Sequence, residues 1–343
     1  MNNQSIQEEK KCVVSIIIKA LNEEKKISIA IESALKAIEK IGGEVILADS
    51  MSTDNTIQIA QRYPIKIVQL SNANERCCGI GPQLGYQYSQ GEFVYILDGD
   101  MQMLETFLPK ALEFIQKKPE VAGVGGKVIE MNTESLEFQA RVERAAEHMY
   151  EGQVDRLAMG GLYRKKAVDS VGQFSDRNLH SYEELDLAVR LRAKNWQLHR
   201  IDEDAVRHWG HDAPPYQLLL KRWTSGYIKG VGEILRASVG KSHFKLLLKD
   251  VTELRLYGAV ILWWFSLISI TFLNISILSK STIAIAIFAI PLLLITIKKK
   301  SLIKGIYSVV SWNVNTLGLI RGFFANRNNS DNIDSIEIPT KTV

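Results

Sequence analysis

Cysteine is scarce in this chain: only Cys12, Cys77 and Cys78 occur among 343 residues. An odd count without paired CxxC spacing excludes a disulfide framework and a structural zinc site, and it points to a reducing, cytosolic setting. An apolar stretch near the start is missing too. Met1 to Lys11 is polar with mixed charge, so no secretory signal is expected there. Net charge is only +4, with a pI of about 8.7, and no basic helix is interleaved with aromatics, which removes nucleic acid from the expected partners. Disorder-prone composition is also lacking, since 46% hydrophobic and 23% charged residues suffice for one large domain or two. The most informative absence is that of charge between Leu256 and Leu278, after an even spread up to about Arg255. A soluble part therefore precedes a membrane part.

What is present in the first part alternates between two periodicities. Val13 to Ala20 is β-branched and apolar, a first buried strand that runs into Leu21-Asn22-Glu23-Glu24, where Asn22 is placed to cap a helix. Ile27, Ile31, Ala34, Leu35 and Ile38 give that helix an apolar stripe, and Gly42-Gly43 ends it. Glu44 to Ala48 reads as a second strand ending at Asp49, followed by the capping-rich turn Ser50 to Thr56, a helix to about Arg62, and a third strand at Ile65 to Leu70. Pro82 suits the first position of a short helix ending at Gly91. This alternation predicts a parallel, doubly wound α/β sheet with right-handed crossovers. Gly79-Ile80-Gly81 with Gly85 has some dinucleotide-fingerprint spacing, but it follows a long loop instead of the first strand, so it carries little weight.

Phe93 to Leu97 is an apolar run that ends in Asp98-Gly99-Asp100. Ligands of open α/β sheets gather beyond the strand C-termini, and two carboxylates this close call for a cation. A hard ion such as Mg²⁺ or Mn²⁺ fits, held by one or two carboxylates and substrate phosphates. An acidic Asp-Gly turn is the plainer alternative.

Together these segments resemble family 2 glycosyltransferases with a GT-A fold. The matching features are strand one with its Asn-Glu end, Asp49 followed by Ser-Thr-Asp-x-Thr, Gly85 to Glu92, Asp98-Gly-Asp100, Gly160 to Arg164, Val171 to Phe174, and Tyr182 to Arg192. The likeness covers about the first 235 residues. It implies a GT-A type, mostly parallel sheet that binds a nucleotide sugar, and donor contacts at Ala20, Asn22, Glu24, Asp49, Asp98, Asp100 and Arg222. Asp49 would meet the base, Asp98 the ribose and diphosphate, and Asp100 the metal, with Asp98 and His208 as further metal candidates. Asp54 is explained by a cap at its helix start, and His208 equally by a hydrogen-bonded structural role. Arg222-Trp223 resembles a pair found in processive relatives, but the glutamine spacing of that motif is missing.

The likeness also gives Glu183, Glu184 and Asp186 the acceptor side. Glu184 takes the place of the usual aspartate base, one methylene longer, and Glu183 and Asp186 remain alternatives. A sugar hydroxyl is a poor nucleophile, so a positioned carboxylate that takes its proton has a clear task. Acidic residues early in a helix also suit its dipole, without any catalysis. Ser135 to Gly152 reads as a covering helix.

Beyond Gly240 the pattern becomes that of a membrane protein. Residues 241–255 alternate lysines and leucines as in an amphipathic interface segment. Spans are expected at about 256–278 and 281–297, an interfacial helix or third span at 302–320, and a disordered tail at 326–343. Lys245, Lys249 and Arg255 before the first span and Lys298 to Lys300 after the second place both flanks, and the 12–240 transferase domain, in the cytosol. The expected protein is a multi-pass membrane enzyme that is metal-dependent and, by family likeness, inverting. It would move sugar from a nucleotide diphosphate sugar to a glycan or lipid-linked acceptor beside membrane lipid. Asp98-Gly-Asp100-Met-Gln102 also resembles polyprenyl-phosphate sugar transferases. A nucleotidyltransferase would carry a glycine- and lysine-rich loop where Lys19 to Glu24 stand, and an inactive scaffold is the non-enzyme alternative.

Overall fold

A computed structural model describes residues 12–133, 150–210, 214–328 and 332–340. They divide into two units: residues up to 179, 183–210 and those from 327 on form the first, and 180–182 with 214–326 form the second.

The first unit is built on a sheet whose central strands are apolar on both faces. β1 (Val14–Ala20), β2 (Gly43–Asp49), β3 (Lys66–Leu70) and β4 (Phe93–Asp98) are parallel, in the order β3-β2-β1-β4. Ile16 and Ile18 of β1 join Phe93, Tyr95 and Leu97 of β4 in one apolar layer, and Ile17 joins Val94 and Ile96 in the other. The first layer is covered by α1 (Ile27–Ile38), whose Ile27, Ala30, Ile31, Ala34 and Ile38 are buried, and by α4 (Phe107–Lys117). Short α2 (Thr56–Ala60) joins β2 to β3, and α3 (Ile80–Gln87) covers the second layer.

Past β4 the sheet becomes mixed. β5 (Met101–Met103), β6 (Val121–Glu130), β7 (Gly152–Val154), β8 (Gly161–Arg164) and β9 (Gln197–His208) extend it, with β4–β8, β8–β6, β9–β5 and β9–β7 antiparallel and β6–β9 parallel. Short α5 (Lys165–Asp169) and α6 (Glu183–Ala193) complete the second cover, where Leu187 and Leu191 are buried. The expected α/β architecture is therefore present, with antiparallel additions that the early alternation of the chain does not announce.

Several expectations change. Pro82 is the third residue of α3, which begins at Ile80 and ends well before Gly91. Of the helix expected at 135–152, residues 134–149 lie outside the described residues, and Gly152 opens β7. The tail expected to be disordered contains a strand, β10 (Ser335–Ile338), paired antiparallel with edge strand β3. Ile333, only 2% exposed, enters the core beside it. A bare edge offers unpaired backbone groups, and a short alternating segment with an apolar anchor satisfies them despite its polar composition.

The second unit is helical: α7 (Pro215–Thr224), a 3-10 turn Tyr227–Lys229, α8 (Gly230–Ser238), α9 (Phe244–Asp250), α10 (Glu253–Ser269), α11 (Ile277–Lys299) and α12 (Leu302–Phe323). The boundary expected at residue 240 falls inside it. Two helices, Glu253–Phe272 including a 3-10 end and Ile277–Lys299, are long and apolar enough to cross a membrane. The turn between them comes earlier than the uncharged run suggests, because the Ser276 side chain caps α11 by accepting from Ser279 N. Trp263 donates to Ile287 O at 3.0 Å and Trp264 to Asn313 Oδ1 at 2.7 Å, tying α10 to both later helices. α12 lies backbone to backbone on α8 and the turn before it. A Cβ at Gly322 would stand 2.0 Å from Lys229 O, and one at Gly232 1.9 Å from Leu319 O. Small residues permit such close helix contacts.

Candidate active site

The C-terminal ends of β1, β2 and β4 converge at one rim because Ala20 is in register with Asp49 and Lys19 with Asp98. Asp49 is fully buried and internally satisfied: Oδ2 accepts from Ser52 N and Gln69 Nε2, both at 2.9 Å, and Oδ1 from Ser52 Oγ at 2.5 Å. The loop after β1 is laced to the loop after β2. Asn22, at φ 60°, accepts from Thr53 N at 2.7 Å, and Glu24 Oε2 accepts from Asn55 N and Nδ2 at 3.2 and 3.0 Å. Asn22 therefore braces the neighbouring loop and does not cap α1, which starts at Ile27. Its left-handed backbone turns the side chain across to β2. Asp54 is not the N-cap it was expected to be, since Asn55 holds that position without a side-chain cap bond; Asp54 instead accepts from Thr56 N and Oγ1 and, across the rim, from Glu24 N at 3.0 Å. Burial opposes its ionisation, but these bonds hold its carboxyl below the ordinary range.

Gly99 lets the end of β4 pass against β1. Its N–H donates to Lys19 O at 3.0 Å, and a Cβ there would stand 2.9 Å from Glu23 Cγ. Asp98 is left partly exposed, while Asp100 turns toward the far side of the sheet and is buried. There His208 is in register with Met101 of β5 and Glu130 of β6. Its Nδ1 meets Glu130 Oε2 at 2.7 Å and its Nε2 lies 3.6 Å from Asp100 Oδ2. Burial works against the imidazolium, but these two carboxylates raise the His208 pKa above its ordinary value. Glu23 is pushed up to about 7 by burial and by Asp100 and Asp98.

Among the described residues no three His, Cys, Asp or Glu side chains form a ready-made metal cage. The donor chemistry still fits a hard divalent ion. Asp98, Asp100 and His208 Nε2 present oxygen and imidazole donors, and the charges of Asp100 and Asp98 add to the burial that raises Glu23.

On the other side of β4, Lys19 Nζ stands 3.0 Å from Asp98 Oδ1 and 3.6 Å from Glu183 Oε1. Glu184 Oε1 accepts from Met159 N at 2.8 Å. Burial lifts its pKa to about 7, with Lys19 pulling it down and Glu183 and Asp98 pushing it up. A carboxylate titrating near neutrality has the profile of a general base. Asp186 points elsewhere: it is buried against Arg190, which reaches Asp186 Oδ2 at 2.7 Å from Nη2 and also donates to Gln173 O and Phe174 O. The three acidic residues of one helix start thus have three environments. Arg222 lies in the second unit, its guanidinium 5.3 Å from the Tyr227 ring centroid.

Lys19, Glu23 and Glu130 were not singled out by the sequence. Lys19 left a trace as the only charge in an otherwise apolar strand, and Glu23 sat inside the noted Asn-Glu-Glu end. Glu130 left none, because its role depends on the pairing of β6 with β9.

The family profile for glycosyl transferase family group 2 matches residues 93–298, and that for glycosyl transferase family 2 matches residues 15–170. A probable glucomannan 4-beta-mannosyltransferase of Arabidopsis thaliana is 23% identical over 240 residues, 62% of this chain and 42% of the relative. A dolichol-phosphate mannosyltransferase of Pyrococcus furiosus is 24% identical over 120 residues, 34% of this chain and 33% of the relative. The chain spans less than half the length of the curated relatives it matches. The fold is shared with the Pyrobaculum calidifontis mannosyltransferase PcManGT, solved with GDP-Man and Mn²⁺. Its TM-score is 0.59 at 16% identity, over 91% of this chain and 87% of that one. A profile that covers most of the chain, together with this sheet, establishes the chain as a member of glycosyltransferase family 2.

Proposed function

We propose that this membrane-associated glycosyltransferase takes a nucleoside-diphosphate sugar and transfers its sugar, with inversion, to a hydroxyl of a glycan or lipid-linked acceptor. The observation that carries this reading is Glu184, a carboxylate lifted to about 7 on the same rim as Asp98 and Asp100. Its carboxylate accepts the acceptor O–H proton. The oxygen's electron pair forms the new bond to the anomeric carbon, and the pair of the broken anomeric C–O bond leaves with the diphosphate. Glu184 then releases the proton to solvent. Asp49 and the braced loops after β1 and β2 form the donor end of the rim, by family likeness the base pocket. Asp100, Asp98 and His208 would hold Mg²⁺ or Mn²⁺, which when bound neutralises charge on the departing diphosphate. The acidic flank of Glu183 and Glu184 favours a neutral acceptor over a phosphate, which it would repel.

A second reading is transfer to a polyprenyl phosphate, favoured by the matching dolichol-phosphate mannosyltransferase and by Gln102 two residues after Asp100. A phosphate acceptor needs no base. The deciding experiment measures binding of UDP, GDP and dTDP by calorimetry with and without Mn²⁺, and then turnover of Glu184→Gln. Metal-dependent binding of one nucleotide, weakened in Asp100→Ala, together with turnover lost in Glu184→Gln, supports the hydroxyl reading. Near-normal turnover of Glu184→Gln establishes the phosphate reading, and no nucleotide binding by folded protein defeats both.

A further inference from the structure

The strand that covers the β3 edge belongs to a chain of contacts that ends at the donor side of the rim. Asp176, Arg177 and Asn178, consecutive residues after Phe174, each hold a different point of the C-terminal segment. Asp176 Oδ2 accepts from Arg327, Arg177 Nη1 donates to Asn332 O, and Asn178 exchanges hydrogen bonds of 2.7 and 3.0 Å with the backbone N–H and carbonyl of Asn328. In β10 itself, Ile336 is in register with Gln69, whose side chain donates to Asp49.

Arg177 faces both the tail and the sheet. It is 7% exposed, and its other terminal nitrogen, Nη2, donates to Glu75 Oε2 in the 3-10 turn Ala73–Glu75 that follows β3. The planar guanidinium bonds these distant segments through separate nitrogens at a fixed angle, a geometry an ammonium does not reproduce. The same loop is fastened by Cys77 Sγ, which donates to Arg177 O at 2.9 Å, and by Gly79 N, which donates to Leu179 O at 2.9 Å. Arg76, next to Glu75, then reaches the turn after Asp49. Its Nε donates to Ser50 O at 2.7 Å and its Nη2 to Met51 O. Met51 has a φ of 62°, a left-handed conformation that a residue with a side chain keeps only when its surroundings hold it. The turn that supports Asp49 is therefore held by a loop that Arg177 ties to the tail.

We propose that Arg177 is a positioning residue for donor binding: by clamping Glu75 to the C-terminal segment it fixes Arg76 on the Ser50–Met51 turn and so sets the affinity of the nucleotide pocket at Asp49. This rests on the donor reading of that end of the rim. The test is calorimetry on the full chain in nanodiscs, with Mn²⁺ and whichever of UDP, GDP and dTDP the wild type binds, beside kcat at saturating donor. In Arg177→Met the nucleotide Kd rises about tenfold, a coupling of the size that packed networks carry, while kcat stays. Glu75→Gln keeps an oxygen for Arg177 and binds as the wild type does. Glu75→Ala weakens binding as Arg177→Met does, and combining Arg177→Met with Glu75→Ala weakens it no further, since each removes the same contact.

A Kd of Arg177→Met within about twofold of wild type, or a fall in kcat as large as the loss of binding, overturns the proposal and leaves Arg177 a purely structural role. Failure of the folded wild type to bind any of the nucleotides overturns the donor reading itself, a separate result. If Arg177→Met shows no melting transition, the Glu75 variants decide. Equal affinity of Glu75→Gln and Glu75→Ala then refutes the role.

Discussion

Glu184 and Asp186 are two residues apart on one helix, and their environments make substitutions at the two sites act with opposite signs. The folded Glu184 pKa of about 7 lies above the ordinary 4.5. Between those values the folded state keeps a proton that the unfolded chain has released, so stability falls as pH rises through the window and stays reduced above it. The difference corresponds to a cost on the order of 3 kcal/mol at pH 8. Glu184→Gln keeps an acceptor for Met159 N and removes that cost, so it should melt higher than wild type at pH 8 and nearly equal to it at pH 4.5. Asp186→Ala does the reverse. It leaves Arg190, with its side chain only 10% exposed, without its counter-charge. Breaking such a buried pair costs about 3–5 kcal/mol, or roughly 10 °C in melting temperature. The assay is thermal unfolding at both pH values alongside turnover per folded molecule. Glu184→Gln should be stable and inactive, and Asp186→Asn less stable but with the acidic limb of its pH profile in place. A Glu184→Gln protein that melts below wild type at pH 8, or an Asp186→Ala protein that melts with it, would refute the electrostatic reasoning.

Two further outcomes are expected. Ile333→Ala should destabilise the first unit by about 2–4 kcal/mol, since it empties a core site beneath β10, and limited proteolysis should then cut near the C-terminus. Gly322→Val places a branched side chain where Lys229 O already stands, so the helical unit should lose about 2 kcal/mol or more, read from Trp263 and Trp264 fluorescence on heating.

The parallel strands and the helices that cover them were legible because both faces of β1 and β4 are buried and the intervening stripes are strictly periodic. The aspartates at the strand ends were legible for the same reason, since an apolar run that stops in acid marks a strand terminus. What could not be read depended on pairing between distant segments. Glu130 meets His208 only through the β6–β9 ladder, and Arg190, although an i,i+4 partner of Asp186 on its own helix, is fixed there by the distant carbonyls of Gln173 and Phe174, so neither arrangement exists in the local pattern. β10 was missed for a related reason. Its residues are too few and too polar to suggest a strand alone, and their order is set by the edge of β3.

That last strand constrains how the chain can be threaded through a bilayer. Residues before 210 and residues 332–340 share one sheet, and a sheet cannot straddle a membrane. The number of crossings between them must therefore be even. If Glu253–Phe272 and Ile277–Lys299 both cross, that even number is already met. A strand of four residues thereby settles a parity that hydropathy leaves open.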